Sequence, residues 1–538
     1  MKRDRLHTIA LLVFCLLPAL FGCMEATSSP SSPTQAIIPA TATHRAGTTS
    51  AASLEATVPP HRDPAKSLTP SPEAEPTWTP SVPPTVTPRE VPVASVEEVV
   101  VQETPISIPA YAYEPYLRQA FDEQHDVPYL WLDRVAYGEP SAESTALRPF
   151  TAVLLENRYL RLTIVPELGG RIYECVFKPT GQNIFYRNRV LKPTSWGPLT
   201  RAQNWWLAVG GMEWAFPVHE HGYEWGVPWT YTVERSAGGA TVTLRDTTEA
   251  RPRVRVEISL APDTAYFVIR PQIENPTNSP VSYQYWTNAM LTLGGSTMSP
   301  NTEFVYPTEA VIVHSAGPVS GLPEERDLMD WPMWQGRDLS WYHNWEDWLG
   351  FFIPDPGQDF VGAYNHDTEL GVARVFSSED VPGVKLFAWG QQSPYAYEYT
   401  DDGSQYFEMW GGPNRTFWSE DDISLEPGGS RSWLEYWYPF QGIGGLDYAN
   451  RELALSLRLR EDSLDLGVAT TSHQKVTILL SRGDEEFYRG QLVVSPESSI
   501  LEQVSLPSGL LPGSLVSVTV LDPEGRVVAS YEIGLRSP

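Results

Sequence analysis

Cysteine is scarce in this chain of 538 residues, which contains three. Cys15 lies in an N-terminal apolar run, Cys23 follows that run, and Cys175 stands alone. If the first 22 residues are removed and Cys23 is modified, Cys175 is the one cysteine left with a free thiol, and no intramolecular disulfide can form. We therefore expect a fold that is stabilised by its core, with Cys175 as a small buried apolar residue.

Basic residues are also few: 38 Lys and Arg stand against 66 Asp and Glu, which gives a net charge of -28. An acidic protein repels phosphate backbones, so nucleic acid is excluded as a partner. Anionic lipid headgroups are disfavoured for the same reason. Any contact with a membrane is therefore expected to run through a lipid anchor only.

Several motifs of catalysis and cofactor binding are missing. There is no phosphate-binding loop, no dinucleotide fingerprint and no serine nucleophile elbow. No spacing of His or Cys matches a standard metal site, and the segment His343–Trp348 is better interpreted as a sugar-contacting or structural loop. We therefore predict neither a cofactor nor a metal.

The N-terminus has the pattern of an export signal. Positive residues precede the apolar run Ile9–Phe21, which is too short to span a hydrocarbon core of ~30 Å. The end of this run, Leu20–Cys23, resembles the bacterial lipobox. The resemblance implies a lipoprotein signal peptide over residues 1–22, lipidation of Cys23, and a cell-membrane protein that faces the extracytoplasmic side. A simple secretory signal that is cut nearby is the alternative.

Composition divides the rest of the chain into three parts. Residues 23–96 are dominated by Pro, Thr, Ser and Ala, which predicts a disordered tether. Residues 97–445 are rich in aromatics, whereas residues 446–538 lack Trp and carry several short strand patterns. The last part is expected to be a small β-sandwich similar to an immunoglobulin-like module.

Strand patterns predominate in both folded parts. Arg253–Leu260 alternates strictly between polar and apolar residues, and Leu515–Leu521 and Val476–Leu480 are also strand-like. Long helical patterns are scarce, and one short helix is predicted over Pro115–Glu123. The fold class is therefore mainly β with antiparallel sheets.

Tryptophan is abundant, and 17 of the 19 residues lie between Trp196 and Trp437. Tryptophan is rarely buried completely, because it is large and carries an N–H donor. Sugars offer C–H faces that stack on such rings. We favour a carbohydrate-binding surface over the alternative, a large β-sandwich that uses these rings only as core.

Ordered motifs connect the middle part to a known superfamily. The segment Glu156–Ile172 contains a Pro-x-x-Gly-Gly turn between two strand patterns. Further blocks follow in order: Phe185–Asn188, Gly210–Pro217, Asn365–Asp367, Phe387–Gly390, Tyr406–Gly412 and Glu435–Pro439. The set resembles galactose mutarotase-like domains of the aldose 1-epimerase superfamily, and more narrowly a bacterial family often found beside tetratricopeptide repeats. The resemblance implies an antiparallel β-supersandwich with a carbohydrate-binding cleft.

The resemblance also implies catalytic residues. Mutarotases of that superfamily open a sugar ring with a His as general acid and a Glu as general base. The candidates here are Glu408 as base and His219 or His221 as acid, with His366 as a third histidine. The spacing of these histidines from Glu408 departs from the mutarotase pattern, which leaves the epimerase activity open.

Other residues of the motif blocks are candidates for substrate binding: Arg171, Glu213, Trp214, His366, Trp389 and Trp410. We expect Trp214, Trp410 and Glu408 to line one pocket. A second enzymatic interpretation pairs two carboxylates among Glu213, Glu408 and Glu435 for glycoside cleavage.

Three functions are compatible with these observations. The first is a membrane-tethered, extracytoplasmic carbohydrate-binding protein, with a glycan as its partner. The second is an aldose-epimerase-like or glycosidase enzyme that uses the same cleft. The third is a structural protein of the cell envelope without catalytic activity.

Overall fold

A computed structural model describes residues 98–536, except for residues 139–143, 198–200, 250, 392, 394 and 395. The predicted signal peptide, Cys23 and the tether of residues 23–96 lie outside the described residues, so these predictions stay untested. Within the described part, no helix is both long enough and apolar enough to cross a membrane.

Two large sheets form the first folded region. The larger has 14 strands: Val100–Ala110, Ala146–Glu156, Leu160–Val165, Arg171–Phe177, Gln182–Asn183, Arg187–Pro193, Leu207–Gly210, Met212–Ala215, Trp286–Leu291, Ala310–Ala316, Leu328–Asp330, Leu349–Phe352, Gly383–Ala388 and Phe407–Gly412. The smaller has nine strands: Thr230–Ser236, Gly239–Arg245, Arg253–Leu260, Phe267–Glu274, Thr302–Val305, Phe360–Asn365, Leu370–Phe376, Ser430–Ser432 and Glu435–Gln441. Their pairing is largely antiparallel, with long hairpins between consecutive strands.

The main core lies between these two sheets. Alternate residues of the 14-stranded sheet, such as Trp214, Leu386 and Met409, pack there against Val256 and Trp437 of the nine-stranded sheet. Because side chains alternate across a strand, the residues between them point to the opposite face of the 14-stranded sheet. That opposite face carries the cavity described below.

The C-terminal strands form a small sandwich of two four-stranded sheets: Tyr448–Ala449, Leu453–Leu459, Ser463–Thr470 and Ile500–Ser505 in one, and Gln474–Arg482, Glu485–Val494, Leu515–Leu521 and Val527–Gly534 in the other. Their apolar side chains form a hydrophobic cluster of their own. The predicted fold class, mainly β with an antiparallel supersandwich followed by a small β-sandwich, is confirmed. The boundary between residues 445 and 446 stays a prediction.

Three two-stranded sheets and six short helices complete the described elements. The sheets pair Leu117–Asp122 with Val127–Leu132, Val281–Tyr283 with Ile423–Leu425, and Met333–Trp334 with Arg337–Asp338. The α-helices are Arg134–Tyr137 and Ala396–Thr400, and the 3-10 helices are Glu114–Tyr116, Pro166–Leu168, Tyr342–Asn344 and Ser419–Asp421.

The helix predicted over Pro115–Glu123 is wrong beyond its first turn. Only Glu114–Tyr116 is helical, and Leu117–Asp122 is a strand. The strand is stabilised by pairing with Val127–Leu132, a partner that local propensity does not reveal. Cys175, by contrast, is completely buried as expected, and burial raises the pKa of its thiol.

A candidate active site on the outer face of the large sheet

The outer face of the 14-stranded sheet carries a cavity of about 490 Å³. We call it the aromatic cavity, and its described lining consists of Trp196, Trp206, Glu220, His221, His314, Ser315, Trp348, Lys385, Phe387, Trp389, Tyr399, Tyr406, Glu408, Trp410 and Phe417. Its volume falls within the range of roughly 300–1,000 Å³ that is usual for small-molecule sites. Its wall is mainly aromatic, with a few ionisable groups among the rings.

A row of side chains across adjacent strands forms the base of the site. Glu213 pairs with Asn288, Asn288 with Trp410, Trp410 with Lys385, and Lys385 with Phe352. Residues that face each other directly in an antiparallel pair have their side chains on the same face. These five residues, which we call the cross-strand row, therefore share the outer face of the sheet.

A second row lies two residues further along the same strands. Glu408 stands opposite Phe387 on one side and opposite Met290 on the other. Since side chains alternate with period two, Glu408 and Trp410 point the same way from their strand, as do Phe387 and Lys385. Of the ionisable side chains in the two rows, Glu408 and Lys385 line the cavity itself, among the rings of Phe387 and Trp410.

A β-bulge brings His314 into the wall. The pairing of Ala310–Ala316 with Leu349–Phe352 shifts register between Val313 and Ser315. A bulge inserts one unpaired residue and re-aims its side chain, which is why His314 and Ser315 both line the cavity although they are neighbours in sequence. Burial, with a further contribution from Lys385, lowers the pKa of His314 well below its usual range, so its imidazole is neutral.

His221 is held in the wall by a buried carboxylate. Its Nδ1 lies 2.6 Å from Oε1 of Glu213, and its ring stacks on Trp206 at 4.3 Å between centroids. Glu213 also accepts a hydrogen bond of 2.8 Å from Nη2 of Arg171, which is completely buried. Asn288 and Trp206 donate two further hydrogen bonds to the same carboxylate, of 3.1 and 3.3 Å.

The charge of Glu213 fixes the tautomer of His221. Burial disfavours the charged carboxylate, but Arg171 and His221 outweigh burial and lower the pKa of Glu213 to about 2. An ionised carboxylate only accepts hydrogen bonds, so Nδ1 of His221 carries the proton between them. Nε2, on the other side of the ring, is left to exchange a proton with a molecule in the cavity.

Two glycines allow Glu213 to reach this position. Gly210 and Gly211 have φ values of 89° and 74°, which L side chains rarely adopt. They bend the chain between the strands Leu207–Gly210 and Met212–Ala215, and a Cβ on Gly211 would collide with the carbonyl oxygen of Ile172. The Gly-Gly pair therefore places Glu213 within hydrogen-bond distance of the Arg171 guanidinium.

Glu408 is the carboxyl group of the cavity floor. It is 4% exposed, and its Oε2 accepts a hydrogen bond of 2.9 Å from the indole of Trp410. Burial raises the pKa of Glu408, and this effect outweighs the opposing influence of His221 and Lys385. A carboxyl group whose pKa moves towards neutrality is suited to general acid–base catalysis.

Lys385 is the cation of the floor. Its Nζ lies 4.9 Å from the ring centroid of Trp410, 5.1 Å from that of Phe417 and 5.2 Å from that of Phe387. Burial lowers the pKa of its ammonium to about 8, although Glu408 and Glu220 oppose the shift.

The structure brings together several of the residues that the sequence singled out. His221, Trp389, Trp410 and Glu408 line the aromatic cavity. Glu213 and Arg171 lie directly behind this wall and position His221. Because Glu213 is occupied by four donors, it has no free oxygen position for the second carboxylate role in glycoside cleavage.

Other candidates lie elsewhere. Trp214 does not share the cavity, because it points from its strand into the core between the sheets and donates a hydrogen bond to the carbonyl of Gly170. Glu435 is also buried away from the cavity, on the nine-stranded sheet, where Arg374 donates a hydrogen bond of 2.7 Å to it.

Two of the three candidate histidines are also outside the lining. His219 accepts a hydrogen bond of 3.0 Å from Arg201, and burial lowers its pKa to about 4, with Arg201 as the next cause. His366 lies at the end of a strand in the nine-stranded sheet, 3.1 Å from Glu303. That carboxylate belongs to an ion cluster with Arg458 of the C-terminal sandwich.

Sequence reasoning missed the ionisable residues Lys385, His314 and Glu220. Lys385 is a charged residue within the apolar strand Gly383–Ala388, a local anomaly that marks it as a candidate. Glu220 has a positive φ of 54°, which the sequence does not reveal. Among the described residues, no group of three or more His, Cys, Asp or Glu side chains is arranged to hold a metal ion.

Comparisons with known proteins agree with this architecture. Residues 128–440 match the family model described as a domain of unknown function (DUF5107), and residues 448–531 match that of the second domain of YphG-like proteins. A solved structure of a TPR-domain containing protein from Parabacteroides distasonis is 24% identical, with a TM-score of 0.54 over 67% of this chain and 58% of that one. The chain thus spans less than two thirds of that protein.

Galactose mutarotase-like proteins are also among the similar solved structures. One from Clostridium acetobutylicum is 12% identical, with a TM-score of 0.39 over 55% of this chain and 96% of that one. Another from Lactobacillus casei is 10% identical, with a TM-score of 0.36 over 54% of this chain and 99% of that one.

Proposed function

The chain belongs to the family described as a domain of unknown function (DUF5107), and on that premise we propose that its aromatic cavity binds a carbohydrate and transfers protons at the sugar's anomeric centre. The observation that carries this proposal is the pair of groups on the floor and wall of one cavity. Glu408 has a raised pKa, and His221 is oriented by an ionised, buried Glu213.

The lining of the cavity suits a sugar. Indole and phenol rings such as those of Trp206, Trp348 and Tyr399 stack on the C–H faces of a pyranose. The few polar groups among these rings fix the orientation of the hydroxyls, as in small-molecule sites generally. An aromatic wall alone supports binding without chemistry, which is the second candidate function.

The proposed reaction is the opening of a cyclic hemiacetal. Glu408 takes the proton of the anomeric hydroxyl while Nε2 of His221 gives a proton to the ring oxygen. The C–O bond of the ring breaks, the anomeric carbon becomes an aldehyde, and both protons return when the ring closes on either face. His221 donates as the imidazolium, which keeps its other proton on Nδ1 in the hydrogen bond to Glu213.

A time-resolved NMR measurement tests the chemistry. Pure anomers of a panel of aldoses are dissolved with the purified full chain, and the rate at which the other anomer appears is compared with the rate in buffer. We expect acceleration for at least one sugar. Glu408→Gln should reduce this acceleration by roughly 10²- to 10⁴-fold, because Gln cannot accept the proton, while the affinity changes little.

Glu461→Gln is the matched control, since Glu461 is an exposed carboxylate of the C-terminal sandwich. It should leave the rate unchanged. Binding of a sugar whose anomers are not interconverted any faster than in buffer would exclude the enzymatic proposal and favour a pure binding protein.

We also propose that the domain is held at the extracytoplasmic face of the membrane by a lipid on Cys23, at the end of the tether of residues 23–96. The support is the signal-like N-terminus and its resemblance to a lipobox. Mass spectrometry of the mature protein from the membrane fraction tests this, with Cys23→Ser as the control. An unmodified, soluble mature chain would contradict it.

A further inference from the structure

Among the described residues, the ammonium group of Lys385 is surrounded by aromatic rings and lacks a hydrogen-bond acceptor. Its side chain is 2% exposed, and it approaches three aromatic rings, those of Trp410, Phe417 and Phe387, without a hydrogen bond or an ion pair to any described side chain. A buried charge of this kind is costly unless it is paired. Other buried cations of the chain, such as Arg171 and Arg374, do have carboxylate partners.

The position of Lys385 directs this charge towards the ligand. It belongs to the cross-strand row on the cavity floor, where it stands directly opposite Trp410 of the neighbouring strand. Glu408 lies on that same neighbouring strand, two residues before Trp410. A group that pairs with the Lys385 ammonium therefore lies beside the proposed site of proton transfer. Water is a poor substitute here, because the surrounding rings offer few hydrogen-bonding groups.

The other charges of the lining limit what this group can be. Glu220 and Glu408 already provide carboxyl groups that interact with Lys385 through space. Lys385 is the only Lys or Arg in the described lining of the cavity, so it can form an ion pair with one negative charge of a ligand. A dianionic phosphate ester would add repulsion from Glu220.

We propose that the carbohydrate bound in the aromatic cavity carries one negative charge, a carboxylate as in uronic acids or a sulfate ester, which forms an ion pair with Lys385. This inference rests on the proposed carbohydrate function and names the class of sugar. The aromatic rings hold the C–H faces of the sugar, and Lys385 selects the charged substituent.

Calorimetric titration of the purified full chain with matched sugars tests the inference. The pairs are D-galacturonate with D-galactose and D-glucuronate with D-glucose, together with glucose 6-sulfate and glucose 6-phosphate. We expect the anionic member of at least one pair to bind roughly 10- to 100-fold more tightly, since a charge-assisted hydrogen bond has this effect. The carboxylate and sulfate arms identify which anion is preferred.

The variant Lys385→Met distinguishes the effect of the Lys385 charge on binding from an effect of the substitution on the structure of the cavity. Methionine keeps an apolar chain of similar length but carries no charge, so the variant should lose its preference for the anionic sugar over the neutral one. Lys385→Arg should retain the preference, because the charge remains. Lys475→Met, which removes an exposed lysine of the C-terminal sandwich, is the control and should change neither affinity.

The possible failures can be told apart. Equal affinities of the wild-type protein for anionic and neutral sugars would overturn the inference and leave the proposed function standing. A preference that persists in Lys385→Met would remove Lys385 from the recognition of the anion. If no sugar of the panel binds, both the inference and the proposed function are overturned. If glucose 6-phosphate binds more tightly than every monoanion, the limit to one negative charge is overturned.

Discussion

Replacing Glu213 by glutamine is expected to destabilise the protein at neutral pH and much less at acidic pH. Glu213 is a buried carboxylate that is paired with Arg171 and hydrogen-bonded to His221, Asn288 and Trp206. Glutamine has nearly the same shape but no charge. It leaves the Arg171 guanidinium buried without a counter-ion.

The magnitude follows from the pKa of Glu213. A pKa lowered from 4.5 to about 2 corresponds to about 3 kcal/mol of folding free energy, because each pH unit is equivalent to about 1.4 kcal/mol. Loss of one partner of a buried ion pair costs roughly 3–5 kcal/mol in other proteins, which agrees. This contribution is complete above pH 4.5 and is lost as the pH falls towards 2, since the folded state then also binds the proton.

Urea unfolding followed by tryptophan fluorescence measures this effect. No Trp lies beyond residue 445, so the signal reports on the first folded region and not on the C-terminal sandwich. Midpoints are compared between the wild-type protein and Glu213→Gln at pH 7 and at pH 3, where more than half of the contribution should be lost. Glu461→Gln is the control and should unfold like the wild type at both pH values.

A difference between wild type and Glu213→Gln that is the same at pH 7 and pH 3 would refute the reasoning. It would mean that the loss comes from packing or from hydrogen bonds that glutamine fails to make. A variant as stable as the wild type at pH 7 would refute the ion pair itself.

Two further predictions concern other buried ion pairs. Glu435→Gln should destabilise the first folded region by roughly 3–5 kcal/mol, because Arg374 is left buried without its carboxylate partner. Urea unfolding measures this effect, and a midpoint equal to that of the wild type would contradict it. Arg458→Met should leave Glu303 without its main cation and loosen the C-terminal sandwich. The measurement is hydrogen exchange in residues 446–536, which should become faster. Exchange equal to that of the wild type would contradict a stabilising role for this contact.

Alternation within single strands can be predicted from the sequence, and it explains why Glu408 and Trp410 line the same cavity. Glu408 and Trp410 are two residues apart in one strand, so they share a face. The same rule, applied to the strand Met212–Ala215, separates Glu213 from Trp214. Expecting Trp214 to share a pocket with Trp410 and Glu408 neglected this rule, and the structure places Trp214 in the core.

Pairing between strands that are distant in sequence could not be predicted from the sequence alone. Lys385 lies beside Trp410, and Asn288 beside Glu213, only because five strands come together in an order that differs from their order in the chain. The bulge that turns His314 inwards is also a property of pairing. Composition and motifs predicted the fold class and the aromatic character of the site, while the register that brings its charges together required the structure.

The cross-strand row has a consequence for the divergence of this family. Each of its five residues comes from a different strand, and each side chain is anchored by a backbone that belongs to a large, continuous sheet. Substitution at one position therefore alters one patch of the floor while the hydrogen-bonded ladder beneath it stays intact. If Lys385 selects an anionic sugar as proposed, its exchange for a neutral or acidic residue would change the charge of the accepted ligand in a single mutational step. Relatives with the same architecture could then differ in ligand charge without any change in the course of their chain.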